Sequence, residues 1–263
     1  MHAWLSGGET LKVAENLRCS KNTVTEWFDK FRMAACFVLT GPLHPACRPG
    51  EPHFKMGGRG KVVELDECKF CKAKYGRGRR GRAQCKGWVL GAVERTLTRY
   101  RRIGHRRVPV KKGRTSSLCI LRPIFHGRRN AATIHAFVQK YVRPGTHLMT
   151  DEARVYRGLR RKGYRVSQCN HSLGQYVVWG WGNRTHPIHT NTIEGTWKWA
   201  REGIPVCGIK GEDVRYRLRF AEICYKRLLK NHRKWKKDDP VKLFLKHFVA
   251  WHNAGEPDTT GQM

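Results

Sequence analysis

Val62-Val63-Glu64-Leu65-Asp66-Glu67 decides how this chain is read. Two β-branched residues and a leucine make a short apolar run, and Asp66 stands where the run stops. The stretch reads as a buried strand that ends on a carboxylate, at a sheet edge where a pocket can form. One carboxylate does little alone. Thr146-His147-Leu148-Met149-Thr150-Asp151 repeats the pattern after Pro144-Gly145 and ends on Asp151. His189-Thr190-Asn191-Thr192-Ile193-Glu194-Gly195 reads as the start of a helix and adds Glu194. Two strand-end aspartates and a helix glutamate are the donor set that two hard divalent cations need. Mg²⁺ takes oxygen ligands, few of them from protein, and leaves positions for phosphate and water.

Composition narrows the class. The 263 residues carry 53 Lys+Arg against 20 Asp+Glu, a formal net charge of +33, with 40% hydrophobic residues. Such a chain can bury a core, and a cationic surplus of this size points to nucleic acid before membrane. No apolar run approaches the length of a membrane span, so no membrane partner is expected. The first residues, Met1 to Gly8, lack the basic-then-apolar plan of a signal peptide. Ten cysteines are scattered through strand- and helix-like segments, which suits reduced thiols in an intracellular protein. The expected location is therefore inside the cell with DNA, in the nucleus if the host is eukaryotic.

Around the opening strand the chain divides into an N-terminal helical segment (1–40), a linker (41–60), an α/β domain (61–232) and a basic helical tail (233–263). Within Glu9 to Leu39, Leu11, Ala14 and Leu17 mark one helix. Ser20 can cap a second, with Val24, Trp27, Phe28 and Phe31 as its apolar stripe. Two short helices joined by a tight turn fit a small helix-turn-helix, with Lys21, Asn22, Thr23 and Thr25 leading into a major groove. The same pattern also fits a plain helical hairpin; the charge of the chain favours DNA. Proline and glycine are dense from Gly41 to Gly60, as in a linker.

After Asp66 comes a basic, glycine-rich stretch with Lys69, Lys72, Lys74, Arg77, Arg79 and Arg80 and no acidic residue among them. It reads either as a solvated hairpin loop or as a phosphate-contacting loop, and the charge favours the second. Lys86 to Glu94 and Leu118 to Phe125 read as strands, separated by another basic loop from Arg99 to Arg114. Asn130 caps a helix through Tyr141. A helix from about Ala153 to Lys162 and a strand from Tyr164 to Cys169 follow the strand at Asp151. This order, ending on a carboxylate-bearing helix, is that of an α/β, RNase H-like fold. The amphipathic helix from Glu212 to Lys230 is expected to pack on the sheet. A further helix runs from Pro240 to His252, and the end, Gly255 to Met263, is expected to be disordered.

Several blocks resemble the ISXO2-like, Merlin-type group of DDE transposases. They are Val63-Glu64-Leu65-Asp66-Glu67-Cys68-Lys69-Phe70 with Lys74-Tyr75-Gly76-Arg77-Gly78-Arg79, then Gly91-Ala92-Val93-Glu94-Arg95. Pro144-Gly145-Thr146, Thr150-Asp151, Asn170-His171-Ser172 and His189 to Gly195 follow in the same order. The resemblance covers residues 60 to 230. It implies an RNase H-like catalytic domain that cuts and joins DNA strands with Mg²⁺ or Mn²⁺, with a possible homo-oligomer on DNA ends. Asp66 and Asp151 match the first two acidic positions. The third is a Glu in some members and an Asn in others, and the chain offers both Glu194 and Asn191. Three residues apart on a helix, they share a face. A carboxylate holds Mg²⁺ better than a neutral amide, which favours Glu194 as the metal ligand. Lys198 and Arg201 lie one and two turns past Glu194 and would hold substrate phosphate; an ordinary exposed cation is the plainer reading of each. His189, inside the matching motif, would orient substrate or a ligand. The zinc-ribbon segment that many relatives carry before the helix-turn-helix is not read here. The second reading is therefore a transposase-derived DNA-binding protein that no longer cuts.

Cys68 and Cys71 are spaced as a zinc pair, but no clear second pair accompanies them, and they read as free thiols. Trp197 and its neighbours Trp179, Trp181 and Trp199 would stack on unpaired bases or, by default, pack in a core.

Overall fold

The computed structural model describes residues 1–44, 47–48, 53–70, 88–95, 99–104, 106–111, 118–124, 129–151, 153–169, 177, 187–204, 214–231 and 237–255. These fall into two compact units. One is Lys55–Glu212; the other joins Met1–Phe54 to Asp213–Met263.

The first segment of the chain forms α1 (His2–Leu5), α2 (Thr10–Leu17) and α3 (Lys21–Thr40). Three residues separate α2 from α3. Arg18 takes the left-handed conformation at φ 50°, and Ser20 accepts a hydrogen bond from the Thr23 N–H at 3.0 Å. That bond satisfies one of the unpaired donors of the first helical turn. Val24, Phe28 and Phe31 are buried, as their spacing predicts, whereas Trp27 is half exposed.

In the α/β unit, β1 (Met56–Gly57) pairs in parallel with β7 (Val142–Arg143). The main sheet contains β2 (Val62–Lys69), β3 (Trp88–Arg95), β6 (Cys119–Pro123), β8 (His147–Asp151) and β9 (Arg165–Cys169). Their order is β6-β3-β2-β8-β9. The first three are antiparallel neighbours; β8 and β9 are added in parallel to β2. As the central strand, β2 buries both faces, with Val62, Val63, Glu64 and Leu65 all at 2% exposure or less. Such a position calls for apolar residues on both faces rather than an alternating pattern, and Glu64 is the charged exception.

β2 does not stop at Asp66. It runs on to Lys69 because β3 stays paired with it down to Lys69↔Trp88. Its pairing with β8 ends earlier, at Glu64↔Met149. Asp66 and Asp151 each lie two residues beyond that last pair, side by side where the two parallel strands cease to bond. The carboxylates thus meet where β8 leaves β2, not at the end of β2.

Helix α4 (Ala131–Tyr141) is capped by Asn130, whose Oδ1 accepts from the Thr133 N–H at 2.9 Å. It buries Ile134, Phe137, Val138 and Tyr141, as its periodicity predicts. The helix expected over 153–162 is instead two 3-10 turns, Arg154–Tyr156 and Leu159–Lys162. Gly158 between them has φ 90°, a left-handed backbone that interrupts any α-helix. The expected basic loop after Arg99 contains a separate hairpin, β4 (Arg99–Ile103) and β5 (Arg106–Lys111), turning at Gly104. Helix α5 (Asn191–Glu202) returns to the sheet and lies against β2 and β3.

The last helices, α6 (Val214–Asn231) and α7 (Pro240–Asn253), belong to the other unit. The expectation that α6 packs on the sheet is not met: it packs on α3. Arg32 Nε of α3 donates to Glu222 Oε2 of α6 at 2.7 Å, and Arg32 Nη1 to Asp29 at 2.6 Å. Trp4, Phe31, Tyr225 and Phe244 fill the space between these helices, with ring centroids 4.8–6.5 Å apart. Helical periodicity identifies an apolar stripe but not its partner, and here the partner is the long α3. Residues 256–263, expected to be disordered, lie outside the described residues.

Candidate metal centre

Asp66, Glu67 and Asp151 each bring a carboxylate oxygen to within 4.8 Å of the others. β2 supplies the first two and the end of β8 the third. Asp151 also turns the chain locally, since its Oδ1 accepts from the Ala153 N–H at 3.1 Å. Burial pushes the Asp66 carboxyl up to about 6. A hydrogen bond from Trp197 holds it down in part, and the negative charges of Asp151 and Glu194 add to the rise. Crowded carboxylates of this kind resist ionising together and are stabilised by a cation placed among them.

Glu67, which the sequence reading leaves without a role, is the most enclosed of the three. Its side chain has no exposure, and Arg129 Nη2 donates to its Oε2 at 3.2 Å. Burial raises the Glu67 carboxyl; Arg129 and the Tyr156 side chain oppose that rise. The other oxygen, Oε1, is buried, and among the described residues no donor meets it in full hydrogen-bond geometry, although the Tyr156 side chain lies beside the carboxyl. A buried carboxylate oxygen without a donor is costly. An oxygen-seeking divalent cation would satisfy it, so the donor set fits a hard metal ion.

Helix α5 is fastened to β2 at two points. Its own N-cap, Thr190, makes no side-chain capping bond. Glu64 of β2 takes that place. Its Oε2 accepts from the Thr192 N–H at 2.8 Å and the Ile193 N–H at 3.0 Å, and its Oε1 accepts from the Thr192 hydroxyl at 2.9 Å. Arg95 Nη1 stands 3.4 Å and His189 Nδ1 3.3 Å from Glu64 Oε1. One turn further along α5, the Trp197 indole Nε1 donates to Asp66 Oδ2 at 2.8 Å. Glu64 and Asp66 are two residues apart on β2 and so face the same side of the sheet.

Gly91 makes the second fastening possible. It sits opposite Asp66 on β3. A Cβ there would stand 2.5 Å from the Trp197 ring and 2.8 Å from Ile193 Cδ1. A glycine inside a strand often marks such a close approach.

The other expected site residues are placed as follows. Glu194 is exposed in the first turn of α5, accepts from the Thr190 hydroxyl at 3.0 Å, and acts on Asp66 through its charge. It is not one of the three grouped carboxylates. Asn191 is exposed at the start of α5, with its N–H 3.3 Å from His189 Nδ1. Lys69 is exposed near the end of β2, and Lys198 is exposed on α5. Arg201 reaches back to β2: its Nη2 lies 2.9 Å from Cys68 Sγ, and its guanidinium lies over the Phe70 ring at 5.7 Å. Cys68 is a buried free thiol. Lys72, Lys74, Arg77, Arg79 and Arg80, with Cys71, Trp179 and Trp181, lie outside the described residues. No described helix is long and apolar enough to cross a membrane.

The unit is a mixed β-sheet with helices, and its acidic group of Asp66, Glu67 and Asp151 is compatible with a divalent cation. Residues 59–206, more than half of the chain, match the ISXO2-like transposase domain, and the chain belongs to that family. No curated protein shows significant similarity to it.

Proposed function

We propose that this protein is a DNA transposase that cuts and joins DNA strands by two-metal-ion phosphoryl transfer. The observation that carries the proposal is the pairing of Asp66 with Asp151 where β8 parts from β2, inside the segment that matches the transposase domain. The β6-β3-β2-β8-β9 order supports an RNase H-like reading of the unit, with three antiparallel strands followed by two parallel ones.

Asp66, Asp151 and Glu194 are the proposed holders of Mg²⁺ or Mn²⁺, with Asn191 beside Glu194 on the same face. When bound, such ions activate a water or a 3′-hydroxyl and stabilise the oxygen that departs. The chain's own groups prepare the site. Trp197 occupies one oxygen of Asp66 and so orients the other. Arg129 neutralises one side of Glu67. Lys198 and the cations that follow Lys69 offer contacts for substrate phosphate, and Arg201 adds charge beside Cys68. DNA binding by the helical unit is proposed on the helix–turn–helix order of α2 and α3. Lys21, Asn22, Thr23 and Thr25 are exposed on the first turns of α3. Assembly as a homo-oligomer on DNA ends belongs to the same proposal.

The alternative is a transposase-derived protein that binds DNA without cutting it. Incubation of labelled duplex DNA with and without Mg²⁺ or Mn²⁺ separates the two: a transposase yields metal-dependent strand breaks, and a pure binder yields none.

A further inference from the structure

We propose that Glu64 is a positioning residue for the metal centre. Its carboxylate sets the height and rotation of α5 against β2, and so aims the Asn191–Glu194 face at Asp66 and Asp151. The inference rests on the metal-dependent reading of the site.

Glu64 is a charged side chain at 0% exposure in the middle of the central strand. Buried carboxylates survive there only when they are paired and hydrogen-bonded. This one is held by two backbone N–H groups of α5, the Thr192 hydroxyl and Arg95, with the His189 ring beside it. Two of these donors are otherwise unpaired N–H groups of a helix N-terminus, where a carboxylate is favoured by the helix dipole. The arrangement is stiff because both partners are regular elements. β2 is locked between β3 and β8 as far as Glu64 itself, and Glu64 marks the last pair before β8 departs. Asn191, Glu194 and Trp197 all lie on the helix whose first turn Glu64 grips. Moving that turn would move the side chain that bonds Asp66 and the two candidates for the third ligand together.

Groups that orient metal ligands from behind cost about 10- to 100-fold in metal affinity or activity when removed. The variants Glu64→Gln, Glu64→Asp and Thr192→Val separate position from charge. Glu64→Asp keeps the charge but withdraws it by one methylene. Thr192→Val keeps Glu64 and deletes one bond to it. The measurements are Mn²⁺ binding by calorimetry without DNA, amide exchange of the α5 N-terminus, DNA affinity, and single-turnover cleavage across Mn²⁺ concentrations. All three variants should show faster exchange at Thr192 and Ile193. Mn²⁺ binding should weaken about 10- to 100-fold for both Glu64 variants and less for Thr192→Val. DNA affinity should stay at the wild-type level, and raised Mn²⁺ should restore part of the lost cleavage. Should the Glu64 variants fail to fold, Thr192→Val alone decides by the direction of its Mn²⁺ shift. Wild-type Mn²⁺ affinity in Glu64→Asp, or in Thr192→Val when the Glu64 variants do not fold, overturns the inference and leaves the metal reading intact. A wild-type protein that takes up no Mn²⁺ overturns both.

Discussion

Trp197 reaches across strand β3 to donate its indole N–H to Asp66 at 2.8 Å, and thereby ties the last described helix of the α/β unit to its central strand. The bond opposes the burial that raises the Asp66 carboxyl to about 6. Only the deprotonated carboxylate binds a cation, so metal and proton compete for Asp66. Mn²⁺ affinity should therefore rise between about pH 5 and 7 and level off above. The sign for stability is opposite. The folded carboxyl holds its proton more tightly than the unfolded one, so this group's contribution to the metal-free protein is full at low pH. It is lost as pH rises through about 6. Trp197→Phe removes the donor and should move the midpoint of Mn²⁺ affinity to higher pH. Calorimetric titrations across pH test this, and an unmoved or lowered midpoint would contradict it.

Gly91→Ala should disturb the same contact from the other side. The new methyl would stand 2.5 Å from the Trp197 ring, closer than packed atoms approach. Overpacking of this kind costs about 1–3 kcal/mol, and here it would push Trp197 off Asp66. The expected result is a lowered melting temperature together with reduced Mn²⁺ uptake. A variant with wild-type values of both would show that α5 yields without consequence.

Glu194 and Asn191 compete for the role of third ligand. Glu194→Gln should collapse single-turnover cleavage at saturating Mg²⁺, and Asn191→Ala should cause a smaller loss through substrate positioning. Lys198→Ala and Arg201→Ala give a second view: Arg201 lies two turns beyond Glu194, and Lys198 two turns beyond Asn191. Arg201→Ala should cost more than Lys198→Ala. Near-normal rates for Glu194→Gln would pass the role to Asn191.

The net charge of +33 sets the expected mode of DNA binding. Phosphate neutralisation releases counterions, so affinity should fall about a thousandfold or more between roughly 50 and 200 mM salt if six to ten phosphates are contacted. Fluorescence anisotropy against salt measures the slope. A flat dependence would rule out binding dominated by the backbone.

The sequence carried the sheet well, because β2, β3, β6 and β8 are built on short apolar stretches whose identity depends on local pattern, and β9 follows from the Tyr164–Cys169 stretch beyond them. Asn130 and Ser20 were equally readable as caps, since a cap acts within one turn. Four things were hidden, the first being the β4–β5 hairpin inside the stretch read as a basic loop. The extent of β2 past Asp66 depends on its pairing with β3, a partner distant in sequence. Gly158 converts a helical-looking run into two 3-10 turns through a backbone angle that composition does not reveal. Helix α6 meets α3 rather than the sheet because an amphipathic stripe does not name what it covers. At the site, Glu64 and Glu67 were visible as charges inside an apolar strand, which is the signal of a buried carboxylate with partners. Their partners, Thr192, Ile193 and Arg129, lie too far along the chain for spacing to connect them. Gly91 in a strand signalled a close approach, but not that Trp197 makes it.

Cleavage of end-labelled DNA by the wild type, Asp66→Asn and Asp151→Asn, with DNA binding measured on the same preparations, tests the central claim most directly. The wild type should break strands in Mg²⁺ or Mn²⁺ and not in EDTA. Both variants should bind DNA with near wild-type affinity and yield no breaks, because each loses a metal ligand and keeps the basic surface. Wild-type cleavage by either variant, or strand breaks by the wild type in EDTA, would contradict the account.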